Sequence, residues 1–442
     1  MKNKTLYLVM LLIVSSLHAQ TNPVITSWLQ NTTGITGRHY VSGNPTPIVD
    51  NVAANVQQVQ YSANWVYVNA TGIPAYITGP FLDRNPSLAT DQNAIYRFPL
   101  TPSQNTGTPS VTTGGNIGVF INGVSLFDYR DGVAWNNTTQ ALCGGPGNPT
   151  CPGGPAASQA WNRDAIPAEM AGFDCNKAHP ANGNYHHHQN PSAFDLDLIV
   201  LSNICSTYPA DGLYVIDPNA HSPLIGFAYD GFPIYGAYAF ANTNGTGAIT
   251  RMKSSYQLRT NTTRVNGPAV NATYFNGYFR EDYVYVANSG TDYLDEHNGR
   301  FAITPEYPNG TYCYYATVDA NHNSAYPYVV GPTFYGNKTA SKVTSVNEST
   351  TPYTLSNENH ALNDLMIYPN PAQDFVAIQT AITYGDLQVE LINSLGQVVK
   401  EEKILQGSTL SIIDTTSLYN GIYFLKITSA SHAVTHKIIM ER

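Results

Sequence analysis

Apolar and polar positions alternate along this chain in short runs, the period of a strand with one buried face, and helical spacing is scarce. Before residue 110 such runs fall at 56–61, 64–69, 75–78 and 94–100, separated by Pro and Gly, and predict an antiparallel sheet. Residues 118–127 read as a hairpin turning at Asn122-Gly123, a dipeptide that tolerates the positive φ values a tight turn requires. Residues 128–172 lose the alternation and read as loop, with one helical candidate at 158–170 that Pro167 shortens. Residues 221–236 set an Asp230-Gly231 turn between two aromatic strand halves, and Tyr-rich strands follow at 283–286 and 310–318. The period vanishes into Ser, Thr and Asn over 337–363, which predicts a linker. Beyond it, runs at 365–367, 375–379, 387–393, 398–402, 409–413, 421–428 and 433–440 have the spacing of roughly 8–12 residues that marks a β-sandwich. The expected fold is mainly β: a large β-rich domain with long loops over 20–336, then a small immunoglobulin-like sandwich over 364–442.

Composition sharpens this picture in two ways. Charged residues are only 12% of the 442, so a turn-rich β-surface must stay polar through amides and hydroxyls. The net charge of −9 comes with no run of Lys or Arg, which excludes a nucleic-acid footprint. At the start, Lys2 and Lys4, an apolar stretch over 6–14, Ser15, Ser16 and Ala19 have the layout of a secretory signal peptide cut before Gln20. That stretch is too short to span a bilayer, and no later stretch reaches the required length, so an exported chain without a transmembrane segment is expected.

Export makes the five cysteines readable as an oxidised set. Cys143 and Cys151 bracket a Gly/Pro-rich loop, and Cys175 and Cys205 flank a His-rich stretch; pairing within each couple leaves Cys313 over as a buried, inert thiol. A rival pairing, or Cys175 as a thiolate ligand, is the alternative, disfavoured because oxidation competes with ligation outside the cell.

The candidate chemistry lies between Asp174 and His188, where one Asp, one Cys and four His crowd together. On an extended strand His186 and His188 share a face, with α-carbons roughly 6–7 Å apart, while His187 points the other way. Pro180, Asn182 and Gly183 read as a turn that folds His179 back over that face as the nearest third ligand. Three neutral imidazoles with one open position suit zinc or copper. The bland alternative is a solvated His ladder. His221 and Asp230 are further candidate ligands, with loop and turn roles as their default readings. Glu296 or Asp174 would serve as general base to a metal-bound water. The competing function is a surface module that binds glycans or partner proteins through its many tyrosines, and a third is a structural role in an extracellular matrix. None of these fixes a reaction, and whether the protein is an enzyme stays open at this stage.

Two parts of the chain resemble known families. The motifs at 367–371 (IYPNP), 391–397 (LINSLGQ) and 420–427 (NGIYFLKI) resemble the sorting domain of the type IX secretion system of Bacteroidetes. That resemblance implies passage through the type IX secretion machinery, then release or attachment at the outer cell surface. Residues 118–124, 174–179, 185–188, 222–236 and 294–312 resemble the YHYH family, over roughly 90–336. His187 stands where that motif has its second Tyr, and His297 where its pattern has Cys. The second departure implies that Cys313 has lost its partner. The resemblance locates a site without naming its reaction.

Overall fold

The structure, a computed structural model, describes residues 22–82, 87–154, 159–198, 203–260, 262–353, 365–380, 387–405, 410–429 and 433–441. The expected signal peptide, residues 1–19, lies outside them. The chain divides into two units, Met1–Thr354 and Leu355–Arg442.

The first unit is built on two sheets that share one apolar core. A five-stranded sheet runs in the order Ser341–Val343, Ala94–Pro99, Trp65–Ala70, Val56–Tyr61, Thr351–Tyr353. Its inward positions, among them Val59, Val66, Val68, Tyr96 and Phe98, are buried in one cluster with Val119, Ile225 and Phe227 of an eight-stranded sheet. Trp28 is keyed between the layers, its ring 5.5 Å from Phe98 and 5.4 Å from Phe227. The eight strands run Ala178–Ala181, Asn184–His187, Ser125–Phe127, Asn116–Phe120, Leu224–Ala228, Pro233–Tyr235, Thr311–Tyr315, Gly299–Ala302. The hairpin forms, but as a three-residue loop over 121–123 closed by the Phe120 N–H to the Val124 carbonyl; only Gly123 takes a positive φ, 82°, and its missing side chain leaves room for Ala70.

Two local expectations need correction, and one ribbon had no counterpart among them. Residues 337–363 are not a structureless linker over their first part: Ser341–Val343 and Thr351–Tyr353 pair onto both edges of the five-stranded sheet, because unsatisfied edge strands recruit even polar chain. Residues 354–364 fall outside the described set. A ribbon of Thr36–Val41 and Asn44–Ala53 was not legible, since Pro45 and Pro47 demote a strand reading; they are tolerated because Asn44–Ala53 is the outer strand of its sheet. The helical candidate shrinks to Ala165–Glu169 followed by a 3-10 turn at Met170–Gly172, after a short strand Asn162–Asp164.

Both expected disulfides are present, Cys143–Cys151 and Cys175–Cys205, which removes Cys175 as a thiolate ligand. Cys313 is free and buried. The second unit is the expected sandwich: sheets of three and four antiparallel strands close over Val376, Val389, Leu391, Leu425, Ile427 and Ile438. Lettered in chain order, the strands form A-B-E and D-C-F-G sheets, the immunoglobulin plan with strand D moved to the opposite sheet. Among the described residues no helix is long and apolar enough to cross a membrane.

Candidate metal centre

The site is a property of one hairpin. Asn182 and Gly183 both adopt positive φ, 50° and 81°, the two-residue turn whose twist matches that of its flanking strands. This fixes the register with His179 directly opposite His186 and Pro180 opposite Tyr185. Pro180 is accommodated because Ala178–Ala181 is the edge strand of the eight-stranded sheet. On its other side Asn184–His187 pairs in parallel with Ser125–Phe127, which brings Phe127 and Asp128 to the hairpin.

Alternation then divides the hairpin into two faces. One carries His179, His186 and His188, all buried, with ligand-competent atoms within 4.8 Å of one another. Phe127 stacks on His186 at 3.9 Å between ring centres, and Phe173 meets His179 edge-to-face at 4.9 Å, so the rings are walled in by apolar surface. The Nδ1 of His186 donates to the Asn184 carbonyl at 2.9 Å, and the Nδ1 of His188 to the Asp128 carbonyl at 2.6 Å. A carbonyl only accepts, so both Nδ1 atoms carry a proton, and it is Nε2 of each ring that is left to face the cluster. Those two Nε2 atoms face each other at 3.1 Å. Burial, then the neighbouring imidazoles of His188 and His179, hold His186 well below the usual imidazole range and keep it neutral.

A residue that sequence reasoning missed completes the cluster. Glu169, at the end of the short helix, places Oε2 3.3 Å from the Nε2 of His179 and 3.3 Å from that of His188. Oε2 is buried and neither contact has hydrogen-bond geometry. Burial pushes this carboxyl up, but the imidazoles of His179 and His188 outweigh it and hold the group well below the usual carboxylate range. Zinc with bonds of about 2.0–2.1 Å in a tetrahedron spaces its ligand atoms by roughly 3.3 Å. The separations of 3.1, 3.3 and 3.3 Å match that spacing, whereas the widest histidine separation, up to 4.8 Å, exceeds it.

The opposite face is packed core, hydrogen-bonded except at the Nδ1 of His187, which finds no partner among the described residues. His187 bonds through Nε2 to the Tyr76 hydroxyl at 2.8 Å, and burial pushes its imidazole down to about 3. Tyr185 donates to Asp174 Oδ2 at 2.9 Å, and Asp174 also accepts from the backbone of Gly79, Asn176 and Ala178. Burial raises the Asp174 carboxyl to about 7 against those four donors. Asp174 was expected as a general base; it sits behind the hairpin with both oxygens engaged and serves as a clamp instead.

The other expected site residues lie elsewhere. His221 packs between Tyr235 and Phe240 and bonds through Nδ1 to the Ser222 carbonyl, four strands along the sheet from the cluster, so it is not a ligand of this centre. Glu296 enters the strand at the far edge of that sheet, with its half-exposed carboxylate 3.9 Å from His297, and does not reach the cluster. Asp230 accepts from Phe232, Gly336 and Tyr314, a turn clamp. His297 turns its Nδ1 to Thr333 and packs on Tyr335.

The fold is thus a two-unit β-protein with a histidine cluster on an edge hairpin of its larger unit. Residues 95–331 match the family described as YHYH protein, more than half of the chain, and the chain belongs to that family. Residues 366–441 match the secretion system C-terminal sorting domain, which makes this a type IX cargo of Bacteroidetes, secreted or attached to the outer cell surface. No curated protein matches the chain.

Proposed function

We propose that this exported protein holds one transition-metal ion, zinc or copper, through the Nε2 atoms of His179, His186 and His188. One observation carries the reading: the Nε2 atoms of two imidazoles, each locked by a hydrogen bond from its Nδ1, converge at 3.1 Å, and a carboxylate oxygen stands 3.3 Å from one of them. Electron-pair donors held that close repel one another unless a cation sits among them. The backbone carbonyls on the far nitrogens are the outer partners that orient metal-ligating imidazoles. The Cys175–Cys205 disulfide pins the segment that leads into the hairpin, so the ligands are organised before an ion arrives.

The test is the metal content of the full exported chain, purified without chelators, together with its thermal midpoint on addition of zinc or copper. The reading expects close to one equivalent of bound metal and a rise in midpoint. A metal-free protein whose midpoint ignores both ions overturns it.

A further inference from the structure

The cluster has a fourth member that is not on the hairpin, and its chemistry differs from the other three. Glu169 ends the helix Ala165–Glu169. That helix is anchored in the core at its start, where Asp164 accepts from the backbone of Ile166 at 2.9 Å and from the Tyr328 hydroxyl at 2.7 Å. Past Glu169 the chain turns through Met170–Gly172 and returns at Phe173, whose ring packs on His179. The carboxylate is therefore held over the imidazoles from both sides. Its side chain is 23% exposed, against 9% for His179 and 4% for His188, so it is the outermost group of the cluster.

The geometry points to Glu169 as the fourth ligand, an oxygen donor that closes the centre over a divalent ion of borderline hardness such as Zn(II). This rests on the metal reading above and adds to it the residue, the donor set and the class of ion. Three imidazole nitrogens and one carboxylate oxygen suit Zn(II), Co(II) or Cu(II), whereas Cu(I) favours the thiolate and thioether ligands this cluster lacks. The carboxylate also neutralises one of the two charges that such an ion carries into a buried pocket. Four protein ligands make a closed centre, so an incoming ligand gains a coordination position only when Glu169 leaves.

Cobalt(II), whose visible absorption reports coordination number, tests this on the full chain. The wild type should bind one Co(II) with the intense absorption of a four-coordinate centre and release it to zinc. Glu169→Ala and the shape-preserving Glu169→Gln should both still bind, with affinity for Co(II) and Zn(II) lowered by at least about tenfold and with weaker absorption as water enters. Circular dichroism of the metal-free variants separates loss of a ligand from loss of fold. Variants that fold and match the wild type in affinity and spectrum overturn Glu169 as a ligand and leave the histidine reading intact. A wild type that takes up neither cobalt nor zinc overturns the histidine reading itself.

Discussion

The hairpin turn sets the register that puts His179 opposite His186, so Gly183→Ala perturbs the site without touching a ligand. Gly183 sits at φ 81°, and an added Cβ would come within 2.1 Å of Thr90 Oγ1 and 3.2 Å of Thr90 Cβ. The left-handed backbone costs an L-residue about 1–2 kcal/mol. The overlap adds about 1 kcal/mol, the low end for overpacking, because Thr90 is exposed and able to give way. Alanine returns about 0.5 kcal/mol by stiffening the unfolded chain, which leaves a net loss of about 2 kcal/mol. In a unit of this size that lowers the thermal midpoint by about 3–5 °C. Thr90→Ala in the Gly183→Ala background removes the closest overlap and should recover about 1 kcal/mol. The measurements are urea unfolding of the metal-free protein and zinc affinity by chelator competition, and affinity should fall with stability as the register loosens. A Gly183→Ala protein with wild-type stability and affinity would refute the claim that this turn holds the ligands in register, and a double variant no better than the single one would refute the assigned share of the overlap.

Other outcomes follow from the same geometry. Tyr185→Phe removes one of four donors to the buried Asp174 carboxylate and should cost about 1–3 kcal/mol in urea unfolding, with zinc affinity nearly unchanged because the loss is on the back face. His221→Ala and Glu296→Gln should leave metal content at the wild-type level; a drop in either, with the fold intact, would show that the centre reaches beyond the three histidines and Glu169. Replacing Cys175 and Cys205 by Ser opens a loop of 30 residues and should cost about 3–4 kcal/mol on the loop-entropy account, so a cost under about 1 kcal/mol would count against it. His187 has a folded-state value of about 3 against roughly 6.5 unfolded, so the unfolded chain takes up the proton first. Stability of the metal-free protein should therefore fall as pH drops from 6.5 towards 3, by up to on the order of 4 kcal/mol from this residue, and His187→Phe should show a shallower acid limb than the wild type.

Much of the hairpin was legible because its signals are local. Period-2 alternation puts residues 186 and 188 on one face and 187 on the other, and Asn182-Gly183 names its own turn. The two disulfides and the seven strands of the sandwich were readable for the same reason: each depends on near neighbours in sequence. Glu169 was not readable, since no spacing links a carboxylate on a short helix to imidazoles on a later hairpin; only the tertiary path from Asp164 to Phe173 joins them. The carbonyls of Asn184 and Asp128, which decide the tautomers, are backbone groups that any residue type supplies. Asp174 was misread because an aspartate beside histidines looks like a ligand or a base, when its acceptors were already committed to the loop it closes. His221 and Glu296 were candidates by residue type alone, and the strand order of the sheet carries them away from the edge hairpin.

The contrast between the two faces of the hairpin is what turns a histidine-rich strand into a candidate centre. Behind it, Tyr76 meets His187 and Tyr185 meets Asp174, donors against acceptors at hydrogen-bond distance, and the group makes ordinary packed core. In front, three imidazole nitrogens and a carboxylate oxygen converge on one point, walled in by the aromatic rings of Phe127 and Phe173. A buried cluster of that kind costs free energy unless something positive completes it, since unmet polar groups in an apolar pocket carry a desolvation penalty. The departure at His187 from the Tyr of the YHYH motif falls on the back face, where its Nε2 pairs with a hydroxyl while its Nδ1 finds no partner among the described residues. It leaves the front untouched, so the exchange alters the support of the hairpin and not the imidazoles of His186 and His188 proposed as ligands.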